Sequence, residues 1–144
     1  MGNAPILEGK STVINCTANT DLSAYLWKGV QITGSFTVKA PFSGTDGLTG
    51  LAGILETAPS QAGEQCRVCI FGVTKGVVDS TSLYAGEPFC MAVNNANPGL
   101  LEPVSSCATF AASVGVYWVS GYTLEAGVES QVVNVFLRPY STLV

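Results

Sequence analysis

The sequence contains no histidine. That removes the side chain that titrates near neutrality and most often serves as general base or as partner of a nucleophilic serine or cysteine. Charge is scarce as well: 11% of residues are Asp, Glu, Lys or Arg, against about 25% in ordinary soluble domains. The six basic residues, Lys10, Lys28, Lys39, Arg67, Lys75 and Arg138, are scattered, and the net charge is −4. No polybasic stripe is available to displace counterions from a phosphate backbone, so nucleic acid is not expected as a partner. No apolar run reaches the roughly 20 residues of a spanning helix. The longest, residues 110–124, is broken by Ser113, Gly115, Ser120 and Gly121, so no membrane partner is expected. Neither G-x-x-x-x-G-K-[ST] nor G-x-G-x-x-G occurs. No basic region followed by an apolar run opens the chain, so no secretory signal is expected. Gly2 does not make a myristoylation site, because Ile6 stands where Ser or Thr is required.

What is present is apolar. Of 144 residues, 47% are hydrophobic, on a length suited to one domain with its own core. A free monomer covers itself with charged side chains. Low charge without a membrane span therefore points to surface buried against other chains. Strand signals dominate: short β-branched or aromatic runs punctuated by Gly, Pro, Asn and Ser predict an all-β, single-domain antiparallel sandwich or barrel. The best strand segments are residues 10–16, 35–39, 51–56, 65–73, 89–93, 116–124 and 131–138. At most one short helix is expected, near residues 20–27, capped by Thr20 or Asp21 and stopped by Gly29. Residues 94–99 and 43–47 read as loops. Residues 1–9 lack periodicity and read as an extended arm ahead of a β-rich domain over residues 10–144.

Gly53-Ile54-Leu55-Glu56-Thr57-Ala58 leading into Val68-Cys69-Ile70-Phe71 is echoed by Gly121-Tyr122-Thr123-Leu124-Glu125-Ala126 leading into Val132–Phe136. Two similar hairpins are expected, with Glu56 and Glu125 at equivalent, exposed turn positions. The five cysteines, Cys16, Cys66, Cys69, Cys90 and Cys107, are odd in number. Without a secretory signal they are expected to be reduced, buried small hydrophobes. Cys66-Arg67-Val68-Cys69 resembles half a zinc site or a redox pair. It lies in a strand-like run, however, where alternation puts Cys66, Val68 and Ile70 on one face and Arg67, Cys69 and Phe71 on the other. No catalytic, metal-binding or cofactor-binding residue is assigned, and an enzyme is not expected. Tyr117-Trp118 sends one ring away from the core, to a protein interface or a stacked carbohydrate.

The order of several short motifs resembles a known family. Asp21-Leu22-Ser23-Ala24 is followed by Leu51-Ala52-Gly53-Ile54-Leu55, then Ala62-Gly63-Glu64. Next come Val68-Cys69-Ile70-Phe71-Gly72-Val73-Thr74-Lys75 and Ala85-Gly86-Glu87-Pro88. Gly121-Tyr122-Thr123-Leu124-Glu125-Ala126-Gly127 and Val133-Asn134-Val135-Phe136-Leu137-Arg138-Pro139 close the series. From about residue 10 onward this looks like the small capsid cement (decoration) proteins of tailed bacteriophages. The number of cysteines and the elaborate tract over residues 94–102 depart from the pattern. The resemblance implies a virion protein, assembled in the host cytoplasm and bound to the outer capsid surface. It would join major capsid protein subunits as a homo-oligomer, a trimer by preference, with a dimer as the other option. Pro5, Ile6 and Leu7 of the arm, together with Trp27 and Trp118, are the expected subunit or capsid contacts. The alternative is a β-barrel module binding a glycan or small ligand.

Overall fold

The β-branched runs bounded by turn residues do form strands. The computed structural model describes residues 11–40, 51–91, 98–104 and 116–143, with the side chains of 51–52, 116–118 and 139–143 excepted. The strands are β1 (Thr12–Ala18), β2 (Gly29–Gly34), β3 (Thr37–Lys39), β4 (Leu51–Leu55), β5 (Gln65–Val77), β6 (Pro88–Met91), β7 (Leu101–Pro103), β8 (Val116–Thr123) and β9 (Val132–Leu143). One 3₁₀ turn, Ser23–Tyr25, stands where the short helix was expected. Asp21 Oδ1 accepts a hydrogen bond from Ser23 N at 2.8 Å and starts that turn. The chain is all-β. Strands β2 and β7 fall outside the segments read from sequence. The first has a buried half followed by an exposed half instead of alternating, and the second is three residues ending in Pro103.

The strand order is β1-β3-β2-β4-β5-β9-β8-β6-β7, and β1 also pairs with β5. The first five strands therefore close into a barrel, antiparallel throughout except for the short parallel seam between β1 and β3. Strand β5 continues into a second sheet with β9, β8, β6 and β7. That sheet curls back: Leu101 forms a parallel bridge with Val78, and Asp79 N donates to Leu101 O at 2.8 Å.

Two apolar clusters follow from this arrangement. Cys16, Ala18, Leu22, Val30, Val38, Ala40, Leu55, Cys66 and Val68 fill the barrel. The second cluster sits between the barrel wall, which contributes Ile54 and Cys69, and the inner face of the second sheet, which contributes Phe89, Leu101, Val133, Val135 and Leu137. Cys66 and Cys69 thus point into different clusters, as strand alternation requires. Strand β5 changes which of its residues face the second cluster because it carries a bulge. The β1 register jumps from Val13 opposite Cys69 to Thr12 opposite Phe71, which leaves Ile70 as the extra residue. Gly72 follows with a φ of 101°, open to glycine and strained for other residues. The bulge swaps parity, so odd Cys69 is inward before it, and even Thr74 and Val78 are inward after it.

Two expectations are corrected. Cys16, Cys66 and Cys69 are free thiols, but Cys90 is disulfide-bonded, so the cysteines are not all reduced. Cys107 lies outside the described residues. The two hairpins exist, β4–β5 and β8–β9, joined side by side through β5 and β9. Their glutamates are not equivalent. Glu56 N bonds Arg67 O across the first hairpin, while in the second that place belongs to Leu124, whose N bonds Asn134 O. Glu125 is exposed and accepts from Asn134 N at 2.9 Å. Glu56 is half-buried, and its Oε2 accepts from buried Thr74 Oγ1 at 2.8 Å. The arm, residues 1–9, and the loops at residues 43–47 and 94–97 lie outside the described residues.

Candidate functional site

Strand β9 buries Val133, Val135 and Leu137. By alternation, Val132, Asn134, Phe136 and Arg138 project from the opposite face of the second sheet, into solvent. The register of neighbouring strands turns this into a row. Val73 of β5 lies opposite Phe136, Phe136 opposite Tyr122 of β8, and Tyr122 opposite Pro88 of β6. At about 4.8 Å per strand the row runs about 14 Å across the sheet. Phe71 adds a fifth member beside Phe136, with ring centroids 5.5 Å apart and planes at 77°. Tyr122 stacks on the other side of Phe136 at 5.4 Å and 17°. These are edge-to-face and offset-stacked geometries that favour ring pairs. Phe71 is 42% exposed and Tyr122 38%. Leu124 and Val132 extend the exposed apolar surface.

Local chemistry fixes this row. Gly121 brings β8 against β9 so closely that a Cβ there would overlap the Phe136 carbonyl. Its counterpart in the first hairpin, Gly53, stands in the same relation to the Cys69 carbonyl. Just before Gly121, the register passes from Val119–Tyr140 to Gly121–Leu137. The extra residue is therefore on β9, where Pro139, which has no N–H to donate, is tolerated. Buried Thr123 anchors the chain entering β6. Its Oγ1 donates to Tyr84 O and accepts from Glu87 N at 3.1 Å. Gly86 N donates to its carbonyl at 2.8 Å. Glu87 Oε2 in turn accepts from Tyr84 N at 2.7 Å. These bonds set Pro88 opposite Tyr122.

The residues singled out from sequence fare differently. Trp27 is half-buried with a φ of 63°. Its N donates to Leu55 O at 2.8 Å, and Lys75 Nζ lies 5.4 Å from its ring centroid. The ring is thereby a cation–π partner of Lys75. Trp118 falls in β8 opposite Ser141, and its side chain is outside the described set. Pro5, Ile6 and Leu7 lie outside the described residues. The sequence reading did not single out Phe71, Tyr122, Phe136 or Pro88. A usable signal was there in β9, where Val132, Asn134 and Phe136 alternate with Val133, Val135 and Leu137.

The remaining chemistry is sparse. No group of three or more metal-ligating side chains occurs among the described residues. No helix there is long and apolar enough to cross a membrane, which says nothing about strands. The Glu102 carboxyl is pushed above its ordinary range by burial and then by the neighbouring Asp79 charge. Because side chains fill the barrel, a ligand would have to bind outside it.

No family model matches the chain, and no curated protein does.

Proposed function

We propose that the chain is a structural protein that docks on the outer surface of a tailed-phage capsid and cements neighbouring major capsid protein subunits. It acts as a homo-oligomer, a trimer by preference. The observation that carries this reading is the solvent-facing row of Val73, Phe136, Tyr122 and Pro88, with Phe71 beside it. Rigid aromatic side chains are what protein interfaces concentrate at their anchoring points. The scarcity of charge supports the same reading, since interface cores are depleted in charged residues. So does the motif order, with its resemblance to cement proteins. The disulfide at Cys90 suits a protein that ends on a particle surface, because such bonds persist outside the reducing cytoplasm.

The mechanism is physical. A shell loaded with DNA fails at its weakest subunit contacts, and an oligomer spanning several subunits adds interface there. Once one copy has docked, the others bind as if intramolecularly, so modest single interfaces add up to firm attachment. No chemical step is assigned. The test is to mix the purified protein with shells of the major capsid protein from the same genome, sediment them, and heat them. The expected result is stoichiometric binding and a higher shell melting temperature. Failure to bind these shells would overturn the reading.

A further inference from the structure

Cys16 of β1 and Cys66 of β5 are direct cross-strand partners. Both are free, and both belong to the cluster inside the barrel, where Cys16 is 1% exposed and Cys66 2%. Their pair type follows from the ladder. Ala18 N donates to Glu64 O at 2.9 Å, and pair types alternate along antiparallel strands. Cys16–Cys66, two steps further along, is therefore also a hydrogen-bonded pair. Such pairs hold their Cα atoms about 5.5 Å apart, within the span of about 4.4–6.8 Å that a disulfide bridges. The Cys66 thiol already lies over the opposite strand, with Sγ donating to Cys16 O at 3.5 Å. Burial and the neighbouring Cys16 sulfur both hold the Cys66 thiol above its ordinary range. Burial does the same for Cys16.

We infer that Cys16 and Cys66 form a latent disulfide site that, once oxidised, staples β1 to β5 inside the barrel. The reaction is thiol–disulfide exchange with a small disulfide such as oxidised glutathione. One protein thiolate attacks a glutathione sulfur, giving a mixed disulfide and releasing one glutathione thiolate. The second protein thiolate then attacks the protein sulfur of that mixed disulfide and expels the other glutathione. Two protein S–H bonds are lost and one S–S bond forms. The oxidant gains two electrons and two protons as two reduced glutathiones. In the closed barrel both thiols are protonated and shielded. Access comes through the β1–β3 seam beside Cys16, whose register holds only Thr17–Thr37 and Ala18–Val38.

The test incubates reduced, folded protein in glutathione redox buffer at pH 8, and in parallel refolds it in the same buffer so that burial is no barrier. Both samples are alkylated, digested and mapped by mass spectrometry. The expected product is a linked Cys16–Cys66 peptide, with an intact mass about 2 Da lower. The oxidised form should melt about 10 °C higher, as expected for a staple closing a loop of this length. Cys69→Ala should leave the linkage unchanged, and Cys16→Ala should abolish it. The wild-type map decides alone if a variant fails to fold. Glutathione adducts on Cys16 or Cys66 without linkage, or both sulfurs still alkylatable after oxidative refolding, would overturn the inference.

Discussion

Replacing Phe71 and Tyr122 by threonine separates docking from folding. Both rings flank Phe136 on the outer face of the second sheet, 42% and 38% exposed, and threonine keeps the strand preference of both sites. A fully buried aromatic ring hides about 200 Å², so each ring has about 80 Å² left for a partner to cover. At about 25 cal/mol per Å² that is about 2 kcal/mol per ring, and the pair should weaken attachment about 100- to 1,000-fold per chain. The folding penalty is of similar size. Each ring gives up the roughly 120 Å² it hides within the fold, of which threonine replaces about half, together with its contact with Phe136, for a total of about 4 kcal/mol, or about 12 °C for a chain of this size. Occupancy of capsid shells, measured by sedimentation over a titration of wild-type and variant protein, reads the first number. Thermal melting followed by circular dichroism reads the second. A folded double variant that binds shells as tightly as wild type would refute the assignment of this face.

Gly121→Ala should destabilise the protein by about 3 kcal/mol or more, because the new Cβ meets the Phe136 backbone carbonyl, which cannot swing aside as a side chain could; urea unfolding measures this, and a loss under about 1 kcal/mol would contradict the close approach. Glu102→Gln tests the buried carboxyl. Its folded pKa is raised above 4.5, first by burial and then by Asp79. The protonated form therefore favours the fold, and that contribution is complete below the unfolded pKa and lost as pH rises through the folded one. The substitution should raise stability at pH 7, with the gain shrinking toward zero below about pH 4.5; an equal gain at pH 3 and pH 7 would contradict the assignment.

Which segments become strands was legible because β-branched runs between turn residues report their own conformation locally. Residues 51–56, 65–73, 116–124 and 131–138 each overlap an observed strand for that reason. Strand alternation likewise separates Cys66 from Cys69 on the sequence alone. Parity along β9 also divides Phe136 from Leu137, but it is symmetric: it says that two faces exist, not which one meets water. Only the closure of β1 on β5, and the curl that returns Leu101 to Val78, assign Leu137 to the core and Phe136 to solvent. The bulge at Ile70 resets parity midway along β5, so no strict two-residue period could bury Cys69 and still carry Phe71 and Val73 to the outer surface. The hairpin glutamates are a different case: counted from Gly53 and Gly121, the two segments already set Glu56 beside Leu124 and Thr57 beside Glu125, and the backbone pairing agrees, with Glu56 N on Arg67 O and Leu124 N on Asn134 O. Composition determined that this chain has apolar surface to cover. The tertiary structure decided where that surface lies.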